Sequence, residues 1–307
     1  MRLPAFPRPD PGAPAVTDRY ALFGNPLGHS KSPLIHGAFA RETEPDMTYE
    51  TIEAPLDGFA AAVAAFRAAG GRGANATMPF KLEAFALADD RSERAERAGA
   101  VNALKFESGR IVADNFDGVG LVNDIRRNQG VEIAGRRVLL MGAGGAVRGA
   151  LLPILAEGPA VLVVANRTVA KAKNLGVQFA GLGSLETGGY DDIGGRTFDL
   201  VINATSASMR GELPAVPRSA FASGCLAYDL VYGKGLSPFL RLACDAGAGR
   251  LADGVGMLVE QAAEAFAWWR GVRPTTRQVI AELTVPLAQA AERCGRPAWG
   301  RMQRGTE

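Results

Sequence analysis

The chain has 307 residues, about two domains' worth at roughly 150 residues each, and 47% of it is apolar, enough to bury one core or two. Charged residues make up 21%, and 34 Lys+Arg against 32 Asp+Glu leave a net charge of +2, which supplies no field for binding a polyanion and argues against nucleic acid as a partner. Apolar runs such as 151–155 fall far short of a bilayer span. No apolar segment follows a charged start, and three cysteines with two histidines make neither a disulfide framework nor a metal-ligand cluster. A cytoplasmic protein without membrane contact is the expectation, and zinc enzymes and serine-type triads are set aside.

In chain order, residues 1–17 carry prolines at 4, 7, 9, 11 and 14 and read as a disordered extension. A strand is predicted over 20–23, a helix over 33–41, a strand over 47–52 and an Ala-rich helix over 56–69. A short strand over 73–77 closes at Pro79, and 82–88 resumes helix. Residues 101–106 and 110–113, separated by Ser108 and Gly109, read as a hairpin, followed by a helix over 118–128. A second unit begins at Arg137: an apolar strand over 138–141, a glycine turn over 142–145, a helix over 146–156 and a strand over 160–165. Two further buried-type strands lie at 199–203 and 226–230, and helices at 257–270 and 276–292. Strands alternating with helices imply a doubly wound parallel sheet. The order predicts an N-terminal α/β unit, a dinucleotide-type unit inserted after it, and a helical return at the C-terminus.

Among the 38 glycines, those at 142, 144 and 145 stand out. They form a turn between a buried strand and a helix, where backbone N–H groups and a helix N-terminus can meet a pyrophosphate. Val147 occupies the place of the third glycine of the usual fingerprint, so the strand–turn–helix context carries the assignment. The next strand ends Ala165-Asn166-Arg167-Thr168, with Lys171 one turn into the following helix. A carboxylate there would suit the ribose hydroxyl of NAD; two cations instead suit the extra phosphate of NADP, although both could be ordinary solvated charges.

Four polar clusters in the first unit resist explanation as plain surface. GHSKSP (28–33) sits at a strand-to-helix junction, where Ser32 could simply cap the helix. NATMPFK (75–81) follows a strand. Asn102 begins the next strand, an unusual place for Asn. DNFDG (114–118) precedes a helix that Asp117 could cap.

With these residues in view the chain resembles the shikimate dehydrogenase family. The strings are GNPLGHSKSPLIH (24–36), GANATMPFK (73–81), GAVN (99–102), NFDG (115–118), GAGGA (142–146), NRT (166–168), NATS (203–206), YDLVYGK (228–234) and DGVGM (253–257) through Gln261. They occur in the family's order over roughly residues 19–285. The resemblance implies an N-terminal α/β substrate domain with a mixed sheet (18–117 and 254–307). It also implies a Rossmann-like, doubly wound parallel-sheet NADP domain (118–253), with C-terminal helices returning to the first. It implies reversible, NADP-dependent reduction of 3-dehydroshikimate to shikimate in aromatic amino-acid biosynthesis, a small-molecule substrate and a homodimer as the expected assembly. Lys81 and Asp117 would be the catalytic pair. Ser30 and Ser32 would hold the substrate carboxylate, and Asn75, Thr77, Asn102, Tyr232 and Gln261 would join Asp117 on the carboxylate or ring hydroxyls. Gly142, Ala143, Gly144, Gly145 and Ala146 would bind the pyrophosphate. Asn166, Arg167, Thr168 and Lys171 would bind the adenosine phosphate, and Leu230, Gly254 and Met257 would lie near the nicotinamide.

Three positions depart from the family pattern: Ala76 for Val, Ala103 for Thr, and Phe116 for the Thr between Asn115 and Asp117. Phe116 either faces the substrate or turns into the core between the domains; an apolar ring gains most from the core. A rival reading is an NAD-using quinate/shikimate paralogue, which Arg167 and Lys171 oppose. Another is a non-catalytic NADP sensor on the same fold, which would not need both Lys81 and Asp117.

Overall fold

The computed structural model describes residues 17–285 and 287; of the extension expected over 1–17 only residue 17 falls within them, and the helix expected over 276–292 ends at Leu283, the part beyond 287 lying outside the described residues. Two six-stranded sheets organise these residues. The first is built from β1 (Asp18–Gly24), α1 (Ser32–Thr43), β2 (Met47–Glu53), α2 (Phe59–Ala68), β3 (Gly71–Ala76), α3 (Lys81–Leu87), β4 (Asp90–Arg91), α4 (Glu93–Ala98), β5 (Ala103–Glu107) and β6 (Arg110–Asp114). Its order is β2-β1-β3-β5-β6-β4. β1 runs parallel to β2 and β3, whereas β5 is antiparallel to β3 and β6, so the sheet is mixed as expected. The hairpin turns on Ser108 and Gly109, both with positive φ, the pairing that matches strand twist in a two-residue loop.

Helix α5 (Asp117–Asn123) then continues as a π-helical turn over Asp124–Asn128, where a plain helix over 118–128 was predicted. The second sheet follows with β7 (Arg137–Met141), α6 (Gly145–Ala156), β8 (Val161–Ala165), α7 (Val169–Gln178), β9 (Leu185–Gly188), β10 (Phe198–Asn203), β11 (Phe221–Asp229), α8 (Pro238–Asp245) and β12 (Arg250–Ala252). All its strands are parallel in the order β12-β11-β10-β7-β8-β9, the doubly wound arrangement. Helices α9 (Val255–Arg270) and α10 (Arg277–Leu283) close the described chain. Pattern reading missed β4, α4, β9, α8 and β12, all eight residues or shorter, too short to show a period.

Apolar burial explains the layers. In the first sheet Ala21, Phe23, Ala74 and Leu104 face α2 and α3 through Val63, Phe66 and Ala84. Tyr20 and Ala103 face the opposite way, toward Phe116 and Trp269, and α1 packs there on α9 through Ile35, Phe39, Val259 and Phe266. The central strands of the second sheet are buried on both faces: Val138, Leu140 and Val164 against Leu121, Leu151 and Leu175, Leu139, Met141 and Val163 against Phe239 and Leu240. That double burial is why they read as unbroken apolar runs.

Helix α5 joins the two sheets. It lies against α9 closely enough that a Cβ on Gly120 would come within 2.7 Å of the Gln261 backbone, so no side chain fits there. Phe116, just before α5, is buried: its ring meets Trp268 edge-on at 5.7 Å and lies 5.0 Å from the Arg94 guanidinium. It turns into the core, as its apolarity favoured.

Candidate active site

Every polar cluster picked from the first unit falls at one edge of the mixed sheet. Parallel β1 and β3 end there, delivering Ser30, Ser32, Asn75 and Thr77. Antiparallel β5 begins there, so Asn102 arrives from the residue before a strand rather than after one; the strand itself starts one residue later, at Ala103. β6 ends there, and Asp117 follows as the first residue of α5. The edge faces the C-terminal ends of β7, β10 and β11. Between the two sheets lies a cleft of about 610 Å³, lined by Ser30, Ser32, Asn75, Thr77, Lys81, Asn102, Asp117, Tyr232 and Gln261. From the second sheet's side Ala146, Leu230, Gly254 and Met257 reach the same cleft.

At its centre Lys81 Nζ donates to Asp117 Oδ2 at 2.5 Å, with the lysine side chain 34% exposed and the aspartate 12%. The other carboxylate oxygen, Oδ1, accepts from Asn102 Nδ2 at 2.8 Å, and the same amide nitrogen donates to Gln261 Oε1 at 3.1 Å. Asn102 Oδ1 accepts from the Phe116 backbone N–H at 2.9 Å. Asn115 Oδ1 accepts from the Asp117 N–H at 3.1 Å, while its Nδ2 donates to Ala100 O. The buried Asn115 and Asn102 therefore hold the loop that aims Asp117, and an Asp117 carboxylate spent on Lys81 and Asn102 caps nothing. Ser32 is likewise no cap: α1 starts with it, Lys31 precedes it as the cap residue, and the Ser32 N–H donates to Ser30 Oγ at 3.2 Å. Both capping alternatives give way to side chains directed at the cleft.

Ser30 and Ser32 thus present hydroxyls from the start of α1, while the Lys81–Asp117 pair and the amides of Asn102 and Gln261 present a cation, acceptors and donors at the centre of the cleft. A small polar molecule with several hydrogen-bonding groups matches that distribution.

On the second sheet's side the glycine turn follows β7, at the point where the strand order reverses between β7 and β10, the usual ligand crevice of such sheets. Gly142 has φ 116°, and a Cβ there would press on Ala204 O at 3.1 Å, so the turn requires glycine. Gly144 and Gly145 face open space, and the first turn of the twelve-residue α6 carries no acidic residue. A diphosphate can approach these backbone N–H groups and the positive end of the helix without meeting a side chain. Asn166, Arg167, Thr168 and Lys171 lie farther out, beyond β8, and do not line the cleft. Asn166 Nδ2 closes the loop onto Thr168 O at 2.9 Å, and Arg167, Thr168 and Lys171 are exposed. The residues present fit a dinucleotide with an added phosphate.

Sequence reading missed cleft-lining residues. His29, Met78 and Leu258 belong to strings already singled out and could have been included. Met209 could not: it arrives on a loop held by the fully buried Asp229, which accepts from Ser208 and Ser237 at 2.6 Å each and from Asn203 Nδ2 at 3.2 Å. Among the described residues no group of His, Cys, Asp and Glu is placed to hold a metal, and no helix is long and apolar enough to cross a membrane.

Three family models match in succession. They are the shikimate dehydrogenase substrate binding domain over residues 22–104, shikimate / quinate 5-dehydrogenase over residues 124–211, and the shikimate 5'-dehydrogenase C-terminal domain over residues 254–284. The chain is 57% identical over 272 residues to the shikimate dehydrogenase (NADP(+)) of Nitrosospira multiformis, spanning 89% of this chain and 99% of that one. It is 56% identical to that of Dechloromonas aromatica over the same shares. Among solved structures it is similar to an Ael1 enzyme from Pseudomonas putida, with 60% identity, a TM-score of 0.86, and 88% and 99% of the two chains covered. It is also similar to shikimate 5-dehydrogenase from Thermus thermophilus in complex with NADP(H) and shikimate, with 29% identity, a TM-score of 0.76, and 90% and 99% covered.

Proposed function

The chain belongs to the shikimate dehydrogenase family, and from that premise we propose that it interconverts 3-dehydroshikimate and shikimate with NADP as its cofactor. The observation that carries the reading is the Lys81–Asp117–Asn102–Gln261 cluster, set in a cleft that the glycine-turn helix also reaches through Ala146. The nicotinamide supplies or accepts the hydride at the ring carbon. The protein supplies position and a proton.

In the reducing direction the carbonyl oxygen gains negative charge as the ring carbon gains hydride. Lys81 Nζ donates a hydrogen bond to that oxygen and delivers the proton; in the oxidising direction it takes the hydroxyl proton back. Asp117 orients the ammonium through Oδ2 and accepts from the neighbouring ring hydroxyl, while Asn102 fixes the carboxylate through Oδ1, Gln261 holds the Asn102 amide, and both meet the ring. Ser30 and Ser32 bind the substrate carboxylate, joined by Thr77 and Tyr232, and Asn75 supports them. The mixed-sheet unit with α9 is then the substrate domain and the parallel-sheet unit the nucleotide domain. Gly142 to Ala146 take the pyrophosphate, Arg167 and Lys171 the 2′-phosphate with Asn166 and Thr168, and Leu230, Gly254 and Met257 wall the nicotinamide.

The test is a steady-state assay at the nicotinamide absorbance band with shikimate or quinate and with NADP or NAD. Shikimate with NADP is expected to give the highest kcat/KM. No turnover of either substrate with either cofactor overturns the enzymatic reading, turnover of quinate without shikimate overturns the substrate, and a preference for NAD overturns the assignment of Arg167 and Lys171.

A further inference from the structure

Behind the cleft lies a group of side chains that the proposed chemistry leaves unused. Tyr49, on β2, does not line the cleft, yet its hydroxyl donates to Asn75 Oδ1 at 2.7 Å, and the Ser32 side chain lies against the same hydroxyl. Asn75 and Ser32 come from different elements, β3 and the start of α1, and both line the cleft. On the far side of the Tyr49 ring, His36 stacks face to face at 4.1 Å and 11°. The imidazole is 1% exposed, packed among Phe39, Phe266 and Trp269, and its Nδ1 has no hydrogen-bond partner. Burial among these rings pushes its pKa down to about 3, against a smaller upward pull from a hydrogen bond with the Asn75 side chain, so the ring is neutral, walls the Tyr49 ring and meets Asn75 as well.

The hydrogen bonds fix which way the Asn75 amide points. The Asn102 backbone carbonyl can only accept, so the amide end that meets it at 3.0 Å is Nδ2. The other end is the oxygen, and the Tyr49 hydroxyl occupies it as a donor. One N–H of the amide remains for the cleft. Without the Tyr49 hydroxyl, the oxygen would lose this partner, and the side chain would be held only by the Asn102 carbonyl and His36.

We infer that Tyr49, backed by the stacked His36, is a positioning residue for substrate binding: it locks Asn75 with an N–H donor toward the cleft and steadies Ser32 beside it. The group that Asn75 meets must then be an acceptor, a carboxylate or hydroxyl oxygen. This inference rests on the assignment of Asn75 and Ser32 to the substrate.

The test is Tyr49→Phe, which keeps the ring on His36 and removes only the hydroxyl, measured alone and together with Asn75→Ala. Tyr49→Phe is expected to raise KM for shikimate about five- to tenfold, the worth of one hydrogen bond. It should leave KM for NADP within about twofold and kcat within about threefold, with the melting temperature lowered by no more than a few degrees, the cost of one lost hydrogen bond. In the Asn75→Ala background the same change should raise KM for shikimate by less than about twofold, because the group it acts through is gone. The inference is overturned if Tyr49→Phe leaves KM for shikimate within about twofold, if it raises both KM values alike, or if its effect persists undiminished without the Asn75 side chain. If Asn75→Ala alone leaves KM for shikimate unchanged, the assignment of Asn75 itself fails and takes the inference with it, whereas Lys81 and Asp117 stand on their own variants.

Discussion

On the mixed-sheet side of the cleft, Lys81, Asp117, Asn102 and Gln261 hold one another at 2.5–3.1 Å and the loops beneath them are pinned by Asn115 and Asn75; on the parallel-sheet side, Arg167, Thr168 and Lys171 stand exposed at the end of β8. The contrast follows from what each side must do. Charge that develops during a reaction is stabilised best by groups already in place, since reorganising them at that moment costs free energy. A dinucleotide phosphate needs only a turn of fixed backbone N–H groups and cations long enough to find it, and ordering those side chains is an entropic cost met on binding. The mixed-sheet side is therefore set in the fold, whereas the parallel-sheet side has a fixed turn with exposed cations lying outside the cleft.

The largest effect should come from breaking the preset side. Lys81→Ala is expected to lower kcat by about 10²–10⁴-fold with a modest change in KM, and Asp117→Asn to act similarly. Because the two act through one hydrogen bond, the double variant should lose less than the product of the single losses. Steady-state kinetics decide this, and a Lys81→Ala protein retaining more than half of the wild-type kcat ends the assignment.

Next in size is the parallel-sheet side. Each charge-assisted hydrogen bond to phosphate contributes about 1.5–3 kcal/mol, so Arg167→Ser with Lys171→Ser should raise KM for NADP at least about tenfold while KM for NAD stays nearly unchanged. Equal losses with both cofactors would place these cations elsewhere than the 2′-phosphate.

Phe116 sharpens the boundary between site and core. Its ring is 3% exposed and packs against Trp268 and Arg94, so Phe116→Thr should cost about 3 kcal/mol of stability, as other large-to-small core changes do. KM for shikimate should hold steady. Denaturant unfolding beside the kinetics distinguishes the cases: a shifted KM at unchanged stability would falsify the core assignment.

The effect confined to low pH concerns His36 and the acid limb of stability. Its pKa lies near 3 in the folded protein against an ordinary 6.5, so below pH 6.5 the unfolded chain takes up a proton that the folded one refuses. The stability contributed by the neutral ring is complete above pH 6.5 and is lost as pH falls toward 3, at no more than about 1.4 kcal/mol per pH unit. The buried Asp124, Asp229 and Asp253, raised by burial, work in the opposite sense, so a comparison with His36→Phe isolates the term. Between pH 6.5 and 4.5 the variant's unfolding free energy should fall less steeply than that of wild type, and parallel curves would sink the claim.

The sequence by itself determined the succession of apolar strands, the glycine turn after β7, and the polar strings that contain the cleft residues. Each is a local signal: double burial leaves unbroken apolar runs, a close backbone approach requires glycine, and a loop rich in Ser, Asn, Lys and Asp has no core to fill. What only the tertiary structure decided is the use made of those residues. Ser32 and Asp117 are equally good helix caps on local grounds, and it is the meeting of α3, α5 and the start of β5 at one sheet edge that turns Asp117 toward Lys81 and Asn102. Phe116 was undecided until Trp268 from α9 arrived beside it. Tyr49 and His36 gave no local sign of a link to the cleft, because an aromatic on a strand and a histidine on an apolar helix face both read as core. Their connection to Asn75 exists only where β2, α1 and β3 pack together, since a hydrogen bond between residues 26 positions apart leaves no mark on the spacing of either one.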